Sequence, residues 1–335
     1  MMTGMNSTDD IDPENTDIRK TAVIDAELSR RQIDIAALQE TRLAGAGSIS
    51  EMDYNFFWFG KAPEEPRIYG TGFAISKRLA NCTQTPYAVS DRISVLRLST
   101  KQGDIRIINA YAPTLAASAE DKDSFYCQLE DTIRDSSSSE RTILLGDLNA
   151  RVGSDHTSWP ECLGKFGVGK INDNGQRLLE LCSRNNLCVT NTLFPGKPHR
   201  KVFWCHPRSK TWHQLDFVII SQKHRQEVLN TRTYHSADCD TDHSLVVSSI
   251  RLKPRPYHRQ SHKSKKIDVS KTNVAELKEQ YCKALDEKLA IIAPSNDPQA
   301  YWDSLRSTIH QTALDTFGLK QRQNPDWYRV LQDVL

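Results

Sequence analysis

No two of the eight cysteines in this chain of 335 residues form a C-x-x-C unit. That excludes a zinc ribbon and an encoded disulfide framework, so reduced thiols are expected, with Cys182 and Cys188 in apolar surroundings where Cys acts as a small core residue. No apolar run approaches the length of a membrane span, so no membrane partner is expected. The first residues include Asp9, Asp10, Asp12, Glu14 and Asp17, the opposite of a secretory or transit peptide, and an intracellular protein is expected. Charge of one sign is missing as well: 44 Lys and Arg against 42 Asp and Glu leave a net +2, too mild to announce a nucleic-acid binder. Neither a Gly-x-Ser-x-Gly elbow nor a His-Glu-x-x-His helix occurs. Gly164, Gly169 and Lys170 have phosphate-loop spacing, but Ile171 stands where Ser or Thr must hold the metal and no apolar strand precedes them. No nucleotide cofactor is expected.

What remains is a patterned chain long enough for one large core and an appendage. Residues 1–18 lack apolar periodicity and read as a disordered acidic terminus. Helical spacing over Arg19 to Arg31 is followed by a buried strand from Ile33 to Leu38. Further strands are expected at Tyr54 to Phe59, Gly70 to Ser76, Ile93 to Leu98, Ile105 to Tyr111, Thr142 to Leu145, Leu187 to Thr192, Lys201 to Cys205, Leu215 to Ile220 and Ser244 to Ile250. Helices are expected at Lys122 to Ile133 and Gly175 to Asn186, and Ser136 to Ser139 reads as a loop. Strands outnumber helices and most connections are short. This favours two packed, antiparallel or mixed sheets with helices outside, ending near residue 252. From Arg251 to Lys266 basic residues occur without an acid, so 253–271 reads as a basic linker and 272–335 as a helical tail.

Four acids sit at strand ends: Glu40 and Asp147 at C-terminal ends, Asp216 and Asp242 before apolar runs. In neighbouring antiparallel strands such ends lie side by side, so the four can gather on one rim. Gly146-Asp147-Leu148-Asn149 closes the run Ile143-Leu144-Leu145, where Gly permits a tight turn and Asn149 projects beside Asp147. His243 adds a group that titrates near neutral pH and can donate to a phosphoryl oxygen. Carboxylates with one His and no Cys cluster suit Mg²⁺, with Mn²⁺ as the substitute, and point to phosphate-ester hydrolysis. Trp204 and Trp212, interspersed with Arg208 and Lys210, make an aromatic and basic stretch suited to stacking on nucleic acid or to core packing.

Leu38-Gln39-Glu40-Thr41, Asn109-Ala110-Tyr111-Ala112-Pro113, Gly146-Asp147-Leu148-Asn149, Phe203-Trp204, Leu215-Asp216-Phe217 and Thr241-Asp242-His243-Ser244 occur in that order. Together they resemble the endonuclease/exonuclease/phosphatase superfamily over residues 19–252. Lys20 to Leu28, Asn174 to Leu181 and Tyr234 to His243 look, more closely, like the endonuclease domains of non-LTR retrotransposons and craniofacial development protein 2-like proteins. The resemblance implies a DNase I-like α/β fold, a four-layer sandwich of two mixed β-sheets flanked by helices, here with a C-terminal helical appendage. It also implies Mg²⁺-dependent hydrolysis of a DNA phosphodiester. By matching motif, Glu40 and Asp242 would bind metal, Asp147 would orient or deprotonate water and Asn149 would fix its neighbour. His243, oriented by Asp216, would stabilise the phosphate, with Tyr111 assisting. DNA as substrate, together with the basic linker, implies a nuclear location. The family's opening strand, which ends in an Asn, is not readable ahead of Arg19: Asn6 follows only Met1-Met2-Thr3-Gly4-Met5. Open strand edges and a missing site group are therefore expected, and with them the alternative of a weakened or inactive remnant that binds nucleic acid or protein. A phosphatase acting on a small phosphorylated molecule is a further alternative.

Overall fold

A computed structural model describes residues 19–135, 140–197, 200–202, 204–205, 212–235, 243–257, 267–292 and 298–320. The chain divides into a unit ending at Tyr257 and one beginning at His258. In the first, helix α1 (Lys20–Arg30) is followed by β1 (Ile35–Gln39), β2 (Ala46–Ser50), β3 (Tyr54–Phe59) and β4 (Thr71–Ser76). These strands form an antiparallel sheet in the order β1-β4-β3-β2. Ile24 and Leu28, one helical turn apart, are buried with Leu38, Phe56 and Ala74, which seats α1 on the outer face of this sheet. Buried Asp25 accepts from the backbone N–H groups of Asp53 and Tyr54, tying α1 to the β2–β3 turn.

The second sheet is built from β5 (Tyr87–Ala88), β6 (Ile93–Leu98), β7 (Ile105–Tyr111), β8 (Arg141–Asp147), β9 (Leu187–Val189) and β12 (Asp216–Ser221), in the order β5-β6-β7-β8-β12-β9. It is mixed because β7 and β8 run parallel; the chain crosses between them through helix α2 (Ala119–Arg134). Ser118 caps α2 by accepting from Asp121 N–H at 3.0 Å. Helix α3 (Asp173–Arg184) begins two residues before the Gly175 that the sequence suggests. The reason is Asn172, whose side chain accepts from Gly175 N–H at 2.7 Å and caps the helix earlier.

Alternation along the strands separates two cores. Phe125, Leu129, Leu178 and Leu181 of α2 and α3 pack on one face of the second sheet against Ile108, Leu144 and Ile219. Its other face, with Ile107, Ile143 and Val218, meets Phe73 and Ile75 of the first sheet. The result is four layers: α1, sheet, sheet, and α2 with α3. Strands β13 (Val228–Tyr234) and β14 (Leu245–Ile250) form a separate antiparallel pair that sends Val228 into the inter-sheet core. β10 (Trp204–Cys205) and β11 (Trp212–His213) form another small pair.

Two expected strands differ. Leu187 to Thr192 is a strand only to Val189, because Thr190 and Thr192 turn their hydroxyls onto the carbonyls of Val218 and Val189, both at 2.7 Å, and the chain curls into a short 3₁₀ turn. Of Lys201 to Cys205, Trp204 and Cys205 form a strand, Phe203 lies outside the described residues, and Lys201 sits in a turn, its ammonium donating to Phe166 O at 2.9 Å. Ser136 to Ser139 lie outside the described residues. Among the described residues no helix is long and apolar enough to cross a membrane. The second unit contains α4 (Ala275–Leu289) and α5 (Pro298–Phe317), with the Tyr281 and Phe317 rings 5.1 Å apart.

Candidate active site

Strand register assembles the site. Tyr111, last residue of β7, is opposite Asp147, last residue of β8, and Asp147 is opposite Asp216, first residue of β12. One parallel and one antiparallel pairing thus place three candidate side chains in a row at one rim. Gly146 allows this close approach: its φ is +147° and a Cβ added there would meet Ala110 O at 1.9 Å. Asn149 follows with φ +45°, a left-handed conformation that Asn tolerates.

Asp147 and Asp216 are each 4% exposed and His243 8%. His243 Nδ1 lies 3.3 Å from Asp216 Oδ2, so the carboxylate orients the ring. Among the described residues, Asp216 Oδ1 is buried without a hydrogen-bond partner. Asp147 Oδ1 accepts from Asn149 N–H at 2.9 Å. Burial first, and then the neighbouring Asp216 charge, push the Asp147 carboxyl up from 3.8 to about 8, while His243 and the Asn149 N–H oppose the rise. The Asn149 carboxamide donates to Ala112 O at 2.9 Å, so this residue shapes the loop that presents Asp147. Burial and Glu40 likewise hold the Tyr111 phenol protonated, its pKa well above the usual 10.

Glu40 comes from the other sheet, immediately after β1, with φ +51°. Its Oε1 accepts from Tyr111 Oη at 2.6 Å and its Oε2 from Arg42 Nη2 at 2.8 Å. Glu40 therefore joins Tyr111, Asp147, Asp216 and His243 in one cluster. Trp204 pairs by an isolated bridge with His243, their ring centroids 6.1 Å apart, and so walls the site. Trp212 is 48% exposed and meets His235 edge-on. Asp242, Arg208 and Lys210 lie outside the described residues.

Two further contributors, Asn109 and Arg92, stand beside the expected site residues. Asn109, wholly buried on β7, donates from Nδ2 to Leu38 O and Gly72 O, both at 2.8 Å, and accepts from Gln39 Nε2. It clamps the first sheet to the second just behind Glu40. Its signal was a carboxamide inside the apolar run Ile107-Ile108-Asn109-Ala110. Arg92 stacks 3.7 Å over the Tyr69 ring and donates to Tyr111 O, adding a cation beside the row.

Among the described residues no three His, Cys, Asp or Glu side chains converge into a ready-made metal cage. The donor set nevertheless fits Mg²⁺, which binds through one or two carboxylates and keeps its waters. Among the described residues Asp216 Oδ1 is buried without a partner, a free carboxylate acceptor beside Asp147 and Glu40 of the kind that such a cation or its waters would meet.

Fold and site define a hydrolase-type α/β sandwich, and the chain belongs to the Endonuclease/Exonuclease/phosphatase family, whose model matches residues 12–243. It is 32% identical over 234 residues to craniofacial development protein 2 of Bos taurus, covering 70% of this chain and 39% of that protein. The Tragulus javanicus protein of the same name is 31% identical, with 70% and 40% covered, so the chain spans about two fifths of these relatives. Among solved structures, the catalytic domain of Xenopus laevis APE2 superposes with a TM-score of 0.52 at 15% identity, covering 72% of this chain and 90% of that one, a likeness of fold.

Proposed function

We propose that this chain is a Mg²⁺-dependent DNA endonuclease of retrotransposon descent, acting in the nucleus. The observation that carries the reading is the row Tyr111, Asp147, Asp216, set by strand register and completed by His243 and Glu40. Glu40, together with Asp242, would hold the cation, which would neutralise phosphate charge. Asp147, with its pKa pushed up to about 8, lies in the range of a general base working near neutral pH and would accept the proton of the attacking water. His243, its Nδ1 held by Asp216, would donate toward the phosphoryl oxygen as negative charge develops. Tyr111 holds Glu40 in place. Trp212, exposed near the rim, offers a face on which a base can stack.

The test is nicking of supercoiled plasmid with Mg²⁺. Asp147→Ala and His243→Ala are each expected to lower the rate by roughly 10²–10⁴-fold, the usual worth of an acid–base group. Absence of cleavage in a folded sample would sink the nuclease reading. A second reading, a non-catalytic nucleic-acid-binding domain, is favoured by the β1 edge and the Asp216 oxygen, which have no partner among the described residues. Salt-sensitive DNA binding that survives Asp147→Ala, with no nicking by either protein, would select it.

A further inference from the structure

A cavity of about 90 Å³ opens at the base of the β10–β11 pair, and none of Glu40, Tyr111, Asp147, Asp216 or His243 lines it. Lys201 stands before that pair and Gln214 follows it; the Gln214 carboxamide donates to Lys201 O at 2.8 Å and closes the base. Arg200, Lys201 and Arg232 line the cavity, and among the described residues its lining contains no Asp or Glu. None of these three cations forms an ion pair. The Lys201 ammonium donates only to Phe166 O, and Arg232 uses Nε and Nη2 on the Tyr234 hydroxyl, which leaves Nη1. Arg200 makes no side-chain hydrogen bond. Elsewhere in this unit Arg141, Arg177 and Arg184 each meet a carboxylate. Three unpaired cations around one recess therefore depart from the chain's own habit, and their mutual repulsion is unrelieved. Burial also lowers the pKa of the Lys201 ammonium, a cost that a neighbouring anion would offset.

We propose that this cavity binds a single phosphate group, as a site separate from the catalytic row. Charge and donor chemistry select the ligand. Two guanidinium groups and an ammonium supply charge-assisted donors from different elements, which a tetrahedral group with several oxygens meets and a flat carboxylate does not. Thr233, 6% exposed, and Asn230 add a hydroxyl and a carboxamide that no other residue engages. Gln214 Oε1, buried without a partner among the described residues, would accept from the P–OH of a hydrogen phosphate. The phosphate arrives either free or within a polynucleotide backbone. The cavity is also wired to the row: Asn191, in its lining, donates to Asp216 O at 3.1 Å and accepts from Val218 N–H at 3.0 Å.

The measurement is an NMR titration of the full chain with inorganic phosphate, in EDTA and at constant ionic strength in chloride. Saturable shifts are expected at the amides of Gly196, Lys201 and Thr233. Arg200→Gln and Arg232→Gln, both at exposed side chains, are each expected to weaken binding about tenfold. Lys197→Gln removes an exposed cation outside the lining and is expected to change affinity by less than about twofold. Failure to saturate, shifts confined to the catalytic row, or equal weakening by Lys197→Gln would overturn the proposal. A second arm names the source, through the salt dependence of binding to a short DNA duplex in EDTA. If a backbone phosphate fills the cavity, Arg200→Gln lowers the slope of log affinity against log salt by about one, and free phosphate competes. An unchanged slope with phosphate binding lost assigns the site to a free phosphate or a small phosphorylated molecule. Both arms read binding alone, so failure of the nuclease reading leaves this test intact.

Discussion

The two sheets hold their parts of the site by different physics. In the six-stranded sheet Tyr111, Asp147 and Asp216 are neighbours because backbone ladders make them so; no single side-chain contact sets their order. The four-stranded sheet contributes Glu40 from beyond its edge strand, seated by a few side-chain hydrogen bonds: Asn109 to Leu38 O and Gly72 O, Gln39 to Asn109, and Tyr111 to Glu40. A ladder spreads its dependence over many backbone groups, whereas a clamp concentrates it in one or two side chains. The first half of the site should therefore yield to changes of backbone geometry and the second to changes of single polar atoms.

The largest effect should come from breaking the ladder where it is tightest. Gly146→Val puts a branched side chain where even a Cβ would sit 1.9 Å from Ala110 O, at a φ that L residues rarely adopt. A loss of about 4 kcal/mol or more is expected, read as a lowered urea midpoint, with displaced amide resonances at Tyr111 and Asp147. Wild-type stability would show that β7 and β8 part easily, and the ladder account would fail. Next comes the clamp. Asn109→Ala removes the side-chain donor to the Leu38 and Gly72 carbonyls and the acceptor of the buried Gln39 amide, for a loss of about 2–4 kcal/mol. Unlike the Gly146 change, it should speed hydrogen exchange in β1 and β4 while leaving β8 and β12 protected. Equal loosening of both sheets would erase the distinction.

This contrast also marks what the sequence makes legible. Apolar runs and the turn chemistry of Gly146-Asp147 identify β7, β8 and β12, and with them Asp147 and Asp216, because ladders follow from local pattern. β2, Ala46–Ser50, carries one large apolar residue, and β13, with Asn230, Thr231, Arg232 and Thr233, alternates too weakly to announce itself. β13 owes its place to pairing with β14 and to the Thr231 hydroxyl, which donates to Thr190 Oγ1 at 2.9 Å. Asn109 stands in a recognisable motif, yet its role depends on carbonyls 71 and 37 residues away in the chain, a relation no local pattern encodes. Trp204 shows the same limit, since its bridge to His243 joins residues that only the fold brings together.

Electrostatics supplies a smaller test of the ladder half. The Asp147 carboxyl has a folded-state pKa of about 8 against an ordinary 3.8, so between these values the folded chain holds a proton that the unfolded chain has released. Stability is therefore fully present below about pH 4 with respect to this group and is lost as pH rises through about 8. Asp147→Asn removes the term. In EDTA the variant should gain about 2 kcal/mol over wild type at pH 8.5 and nothing at pH 4, measured as urea midpoints. A constant difference at both values would mean that Asp147 is ionised throughout.

The smallest change tests the join between the sheets. Tyr111→Phe keeps the buried ring and the β7 ladder but removes the 2.6 Å hydrogen bond to Glu40 Oε1, leaving Arg42 as the partner of that carboxylate. A single charge-assisted bond is worth about 1.5–3 kcal/mol at most when buried, and Glu40 is partly open to water, so stability should move by about 1 kcal/mol or less. Its consequence should fall on orientation. If Glu40 holds the cation, the Mg²⁺ concentration giving half-maximal nicking should rise roughly tenfold, in the range set by lost outer-shell partners, while the rate at saturating Mg²⁺ changes little. A loss of maximal rate as large as that of His243→Ala, with unchanged Mg²⁺ dependence, would place Tyr111 against the substrate phosphate instead. The seat of Glu40 would then rest on Arg42 and the Asn109 clamp, and the two sheets would meet at the site through backbone and carboxamide contacts alone.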